Sequence, residues 1–124
     1  MSASQRLNRY HYRKPYYVPA SLDDLRGPVS GTVFLDRYMY WQPGPQTLPL
    51  DEHMTSVIYQ AVLAEGIEGD PERLVNKNLL IALWPELMLP AKVVWLWESR
   101  FDELRGNLRS GWFDAVREKL EIDN

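Results

Sequence analysis

The alternation of apolar and polar positions indicates a β-segment at residues 31–41, GTVFLDRYMYW. β-Branched and aromatic residues, which favour strands, fill this segment, and successive side chains point to opposite faces. One face carries Val33, Leu35, Arg37, Met39 and Trp41, and the other carries Phe34, Asp36, Tyr38 and Tyr40. The turn signal QPGP follows at 42–45. The strand must pair with the N-terminal tail, with another chain or with residues 46–50, which are a candidate return strand that its proline would place at an edge. The pattern predicts a short aromatic β-hairpin.

Downstream, apolar residues recur at helical spacing in four segments. These segments predict helices at residues 51–65, 70–87, 90–104 and 111–120. Asp51 caps the first helix or lies in its first turn, and Asp70 followed by Pro71 is a favourable start for the second. Pro85 ends or kinks the second helix. The predicted fold is α+β and mostly helical, with four helices after a short aromatic β-hairpin.

The charges divide the chain into two unequal parts. The formal net charge is −3, but residues 1–20 contain four basic residues and no acidic residue. Ten of the 14 basic residues and all 17 acidic ones remain for the rest of the chain, which therefore carries −7. This pattern predicts a basic, tyrosine-rich arm over residues 1–20, flexible when free, and a single globular domain over residues 21–124.

Several protein classes are excluded by composition and segment lengths. The chain contains no cysteine, which excludes disulfide scaffolds, thiol nucleophiles and zinc sites built on cysteine. No apolar run reaches the roughly 18 residues of a transmembrane helix. The first residues lack the apolar stretch of a secretory signal. We therefore expect a cytoplasmic protein with no membrane partner.

The residues that carry enzyme chemistry are few. The two histidines, His11 and His53, are far apart, and no metal-binding or phosphate-binding motif is present. Paired carboxylates such as Asp23 and Asp24 fall at predicted helix ends or exposed faces, where the helix dipole explains them. The sequence therefore predicts a protein that is not an enzyme, with no catalytic residue, metal or cofactor.

Aromatic residues are more numerous than one helical core requires. Trp84, Trp97, Phe101, Trp112 and Phe113 fall on stripes that face a core. The remaining candidates for protein contact are Tyr38, Tyr40, Trp41, Trp95 and Leu96. Either the predicted strand lies between the helices and the tail tyrosines, or its aromatic residues form an exposed patch that binds a partner. A homodimer through the strand edge or Trp95 is a separate hypothesis.

The basic arm fits two functions. In the first, a non-catalytic interaction protein docks on a protein partner through the aromatic surface and the arm; in the alternative, the arm acts with the helices within residues 74–104. The candidates for nucleic-acid or anion contact are Arg6, Arg9, Arg13 and Lys14. Their charges suit phosphates, and neighbouring tyrosines can stack on bases; the other interpretation is a solvated terminus whose tyrosines lie back on the domain. A helix-turn-helix-like pair over 74–104 would make the protein a DNA-binding transcriptional regulator, although Lys92 is the only early charge of its second helix.

Four segments carry a resemblance to a known group of proteins. They are SLDDLRGP at 21–28, SGTV at 30–33, LLIALWPELMLP at 79–90 and WESRFDEL at 97–104. These segments resemble small uncharacterised actinobacterial proteins that are often encoded beside nucleotidyltransferase-like toxins of the abortive-infection kind. The resemblance covers about residues 21–104 and transfers no catalytic residue. It implies an antitoxin-like or regulatory subunit whose partner is either a toxin-like enzyme or a second copy of the chain.

Overall fold

The computed structural model describes residues 15–105 and shows an α+β fold. Within this range a two-stranded antiparallel hairpin is followed by helices. The strands are β1 (Thr32–Phe34) and β2 (Thr47–Pro49), and the helices are α1 (Met54–Glu65), α2 (Asp70–Leu74), α3 (Lys77–Leu83), α4 (Ala91–Arg100) and α5 (Asp102–Arg105). Single 3-10 turns lie at Leu22–Asp24 and Trp84–Glu86. The predicted mostly helical α+β class is confirmed, while the helix predicted at 111–120 lies outside the described residues.

The first strand is shorter than predicted. β1 ends at Phe34, so the prediction of a strand that continues to residue 41 is wrong. After β1 the chain bends, because the N–H groups of Met39 and Tyr40 both donate to the Asp36 carbonyl at 3.0 Å. A local turn thus satisfies backbone groups that a longer strand would have left without a partner. The predicted alternation of faces therefore ends near Leu35.

The hydrogen bonds that flank the strands show which backbone groups of the hairpin face outward. Leu35 N–H donates to the Gln46 carbonyl at 2.9 Å, and Leu50 N–H donates to the Gly31 carbonyl at 2.8 Å. Because bonded and non-bonded pairs alternate along an antiparallel ladder, every second residue between them directs its N–H and C=O away from the other strand. These outward residues are Thr32, Phe34, Thr47 and Pro49. Pro49 therefore removes no ladder bond.

The second predicted helix, residues 70–87, is wrong as a single element. It consists of α2, α3 and the turn at Trp84–Glu86. Val75 is extended, with φ −108° and ψ 134°, and separates α2 from α3. Asn76 then begins α3, because its side chain accepts a hydrogen bond from Leu79 N–H at 3.1 Å. A buried extended residue and an asparagine cap thus divide the apolar stretch into two helices.

A preceding segment of the chain occupies the break between α2 and α3. Arg26 N–H donates to the Glu72 carbonyl, and Gly27 N–H donates to the Val75 carbonyl, both at 2.9 Å. The two backbones approach so closely that a Cβ at Gly27 would lie 2.3 Å from the carbonyl carbon of Leu74. Glycine is required here because only hydrogen fits between the chains.

The predicted helix at residues 90–104 is also divided. Phe101 has φ −119° and ψ 105°, which ends α4 and places α5 after it. The Phe101 ring packs on Trp97, with 5.5 Å between ring centroids. Phe101 therefore ends α4 with its extended backbone and fills the core with its ring. Asp51 caps α1 as predicted, accepting from Met54 N–H at 2.7 Å.

Two tryptophans lie at the centre of the core. Trp84 and Trp97 are completely buried, with ring centroids 6.3 Å apart. Their predicted burial, and that of Phe101, is confirmed; the corresponding predictions for Trp112 and Phe113 lie outside the described residues. Val33 of β1 faces the same core. The hairpin is therefore held to the helices by one face, and its other face is exposed.

Candidate interaction surface

Four of the seven large apolar side chains that are exposed within residues 15–105 lie before, in or shortly after β1, and the other three are Val57, Ile67 and Met88. Val29 is 61% exposed, Phe34 54%, Tyr38 45% and Trp41 73%. We call these four residues the hairpin surface. Single exposed apolar side chains are common on monomeric proteins, whereas a concentration of them in one segment is typical of a binding site. Trp41 is the most exposed of these four residues.

A glutamine side chain closes the connection between the strands. Gln46 Nε2 donates to the Leu35 carbonyl at 2.7 Å and to the Tyr40 carbonyl at 3.0 Å. Leu35 follows Phe34 directly, and Tyr40 precedes Trp41. One amide therefore brings together the two backbone positions next to the exposed rings of Phe34 and Trp41.

Tyr38 is fixed at its hydroxyl end. Its hydroxyl donates to Asp70 Oδ2 at 2.5 Å, which joins the connection to the start of α2. This hydrogen bond, partial burial and the negative charges of Asp70 and Asp36 raise the pKa of Tyr38 to about 12. The phenol therefore remains protonated and keeps donating at neutral pH. The ring is held in place while nearly half of the residue faces solvent.

Asp70 is the buried acceptor that orients this contact. Besides Tyr38, its carboxylate accepts from Ile67 N–H and from the Arg73 guanidinium, both at 2.9 Å. Burial alone would raise the pKa of Asp70, but these hydrogen bonds and the charge of Arg73 outweigh burial and lower it. Asp70 was predicted to begin a helix; its contact with Tyr38 was missed, because no local pattern relates residues 32 positions apart.

The predicted protein-contact residues are divided between two parts of the fold. Tyr38 and Trp41 belong to the hairpin surface, whereas Tyr40 is partly buried and packs against the core. Trp95 and Leu96 lie on α4, where both are partly buried and Leu96 packs against the core. Phe34 and Val29 are exposed and were not among the predicted contact residues. The signal for Phe34 in the sequence was the face opposite Val33 in the short strand, whereas Val29 lies before β1 and had no such signal.

The described end of the predicted arm lies on the domain. Tyr17 donates a hydrogen bond to Glu72 Oε2, and Arg100 donates to the Pro19 carbonyl at 3.3 Å. The bond to Glu72, burial and the nearby negative charges raise the pKa of Tyr17 to about 12. Tyr16 also packs against the core. These contacts agree with the interpretation that tail tyrosines lie back on the domain, while the anion-contact candidates Arg6, Arg9, Arg13 and Lys14 lie outside the described residues.

Two further carboxylates, Asp23 and Glu98, make structural contacts. Asp23 pairs with Lys77 at 2.6 Å, and this hydrogen bond with its positive charge lowers the pKa of Asp23. Glu98 is only 1% exposed and accepts from Trp84 Nε1 at 2.7 Å. The burial of Glu98 was not predicted, although it lies four residues after Val94 on the same helical face. Across residues 15–105, no group of three histidine or acidic side chains is arranged to hold a metal ion.

From residue 15 to residue 105, no helix combines the length and the apolar character of a membrane span. The chain matches no protein family, no curated protein and no solved structure. The resemblance to the small actinobacterial proteins stays a prediction.

Proposed function

We propose that this protein is a non-catalytic cytoplasmic interaction protein that binds a protein partner through the hairpin surface. The exposed indole of Trp41, three residues along the chain from the fixed ring of Tyr38, is the observation that carries the proposal. Tryptophan and tyrosine are enriched among the residues that dominate binding energy, because a large ring loses its contact with water when the partner covers it.

The hydrogen bonds around the hairpin surface favour binding. Association is opposed by the ordering of side chains and loops. Here the Tyr38 hydroxyl is already bonded to Asp70, and Gln46 already closes the connection at both ends. A partner that covers this surface therefore meets rings and backbone that need little further ordering.

The kind of partner is a protein rather than a nucleic acid. Residues 15–105 contain seven basic and 13 acidic residues, and an acidic surface repels phosphates. The resemblance of residues 21–104 to proteins encoded beside toxins supports an antitoxin-like or regulatory role, with a toxin-like enzyme as the bound partner.

A matched pair of variants tests the proposal in the full-length protein. Wild type, Trp41→Ala and Met88→Ala are used as bait in extracts of the native host, and bound proteins are quantified by mass spectrometry. Met88 is a suitable control because it is apolar and 84% exposed but lies outside the hairpin surface. We expect a partner that wild type and Met88→Ala retain and that Trp41→Ala loses.

Two outcomes would contradict this function. The first is a partner that Trp41→Ala retains at the wild-type level. The second is binding of the full chain to duplex DNA at about 50 mM salt, where phosphate contacts are strong. If replacement of Arg6, Arg9, Arg13 and Lys14 by glutamine removed that binding, the DNA-binding regulator would replace the present proposal.

A further inference from the structure

The outer edge of β1 is open to pairing. Thr32 and Phe34 direct their N–H and C=O groups away from β2, as the ladder alternation requires. Within residues 15–105, no backbone hydrogen bond joins these outward groups to another segment. Both side chains are also exposed. Such an edge presents a row of donors and acceptors to any strand that approaches it.

The two edges of the hairpin differ in their protection. Edge strands are usually guarded by proline or by charged side chains, which discourage pairing with another chain. On β2 the outward residue Pro49 has no N–H to offer. On the β1 side, residues 29–35 read VSGTVFL and contain neither a charge nor a proline. Pairing is therefore disfavoured at β2, whereas residues 29–35 place neither a proline nor a charged side chain at the β1 edge.

We propose that a second copy of this chain pairs antiparallel with the outer edge of β1, on a two-fold axis through Val33. In this register Thr32 lies opposite Phe34 of the partner subunit, and Phe34 lies opposite the partner's Thr32. Each pair can exchange both of its hydrogen bonds, because these residues carry the outward groups. The two hairpins then form one continuous sheet in the order β2–β1–β1–β2.

The exposed Phe34 ring identifies a second copy as the occupant. In the proposed register the two Phe34 side chains lie on the same face at diagonal positions, about 7–8 Å apart, within reach of aromatic rings. Each ring covers part of the other. One two-fold axis therefore pairs the outward backbone groups of β1 and also covers the exposed Phe34 ring. The contact is isologous, as in most protein dimers. The contact also joins two negatively charged chains along a segment, residues 29–35, that contains no charged residue.

This inference goes beyond the proposed function, since it rests on the β1 edge and on Phe34, one member of the hairpin surface, and leaves Trp41 out of the contact. The test measures the mass of the full-length protein in solution by light scattering at about 0.1 mM, where a moderate dimer is populated. We expect twice the chain mass of 14.5 kDa. The double variant Thr32→Lys/Phe34→Lys adds positive charges to the β1 edge, and we expect it to have the mass of one chain.

A control variant on the same face separates the edge contact from a general effect of charge. Thr47→Lys places an exposed lysine on β2, opposite Phe34 in the hairpin, and we expect it to remain a dimer. Circular dichroism confirms that all variants are folded. A monomeric wild type, a dimer that survives the double variant, or equal dissociation of Thr47→Lys would each overturn the proposal.

Amide exchange and a third variant complete the test. We expect the amides of Thr32 and Phe34 to exchange slowly at high protein concentration and rapidly after dilution. Unchanged rates would contradict an edge contact. Trp41→Ala should dimerise as wild type does, so loss of partner capture by that variant and loss of the dimer are separate results.

Discussion

The Tyr38 ring faces solvent over nearly half of its surface, while its hydroxyl is bonded to a carboxylate that is almost completely buried. Asp70 in turn receives Ile67 N–H and Arg73, so one acid fixes the turn before α2 and the connection of the hairpin. Removing this acid would leave several donors without their acceptor. The effect should therefore reach beyond one side chain.

The lowered pKa of Asp70 predicts a specific loss of stability in acid. Because the folded state prefers the ionised form, the contribution is complete above the ordinary pKa of an aspartate and is lost as the pH falls through the lower folded value. We expect Asp70→Asn to lower the free energy of unfolding at pH 7 by about 1–3 kcal/mol, as for hydrogen bonds to a charged group. We also expect it to flatten the acid part of the profile.

Urea unfolding between pH 7 and pH 2 measures both effects. Asp36→Asn, an exposed change in the same connection, serves as the control and should follow the wild-type profile. Parallel acid profiles for wild type and Asp70→Asn would show that the contacts of this carboxylate do not stabilise the ionised form.

At the scale of elements, local signals predicted where several helices begin. At α1, the predicted Asp51 accepts from the Met54 N–H one turn ahead. Asn76 starts α3 through the same kind of contact, but this start was not predicted. The break at Val75 was not predictable, because it involves a backbone bond from the distant residue Gly27. Phe101 continues the apolar stripe of α4, so the stripe did not indicate its extended backbone. The end of β1 was missed because a local turn at Asp36 competes with strand pairing.

Gly27 tests the contact that divides α2 from α3. A methyl group there would meet the Leu74 carbonyl carbon at 2.3 Å and the Val75 nitrogen at 2.5 Å, and backbone atoms cannot move aside as a side chain can. We expect Gly27→Ala to destabilise the protein by about 3 kcal/mol, at the upper end of typical overpacking. Thermal unfolding measures the loss.

Ser30→Ala, an exposed change nearby, provides the comparison for Gly27→Ala. It should leave the unfolding temperature close to that of wild type. If both variants unfolded at the same temperature as wild type, the close approach of residues 26–27 to the helix break would be of no importance for stability.

At the scale of the whole molecule, charge predicts how salt acts on association. Each copy carries a formal net charge of −3, and two copies repel each other before their neutral β1 edges meet. Salt shortens the range of this repulsion from about 10 Å at 0.1 M to about 3 Å at 1 M. We expect the dissociation constant of the dimer to fall a few-fold as sodium chloride is raised over this range.

Analytical ultracentrifugation at several salt concentrations measures this dependence. A nucleic-acid complex would respond in the opposite direction, because its affinity falls steeply with salt. A dimer that weakens as salt is added would show that attraction between charges, and not the neutral edge, holds the two copies together.

The overall class of the fold could be predicted from pattern and composition. The exposure of Trp41 could not, because the alternation places it on the same face as the buried Val33 and the sequence left open whether that strand is covered. The contacts that organise the candidate surface could not. Tyr38 and Asp70 are 32 positions apart, and Glu98 is an acid on a buried helical face. Such contacts join residues that meet only in the folded chain. Their hydrogen bonds then compensate the cost of burying the polar groups.

Pro49 has a consequence for how far association can proceed. A hairpin with two equally receptive edges can add one molecule after another and grow into a fibre, as stacked strands do in amyloid. With the β2 edge lacking a donor at Pro49, a molecule joined through β1 has no equivalent edge left for a third. Closure on a two-fold axis thus ends growth at the pair, so that concentrated solutions should hold discrete dimers and no filaments.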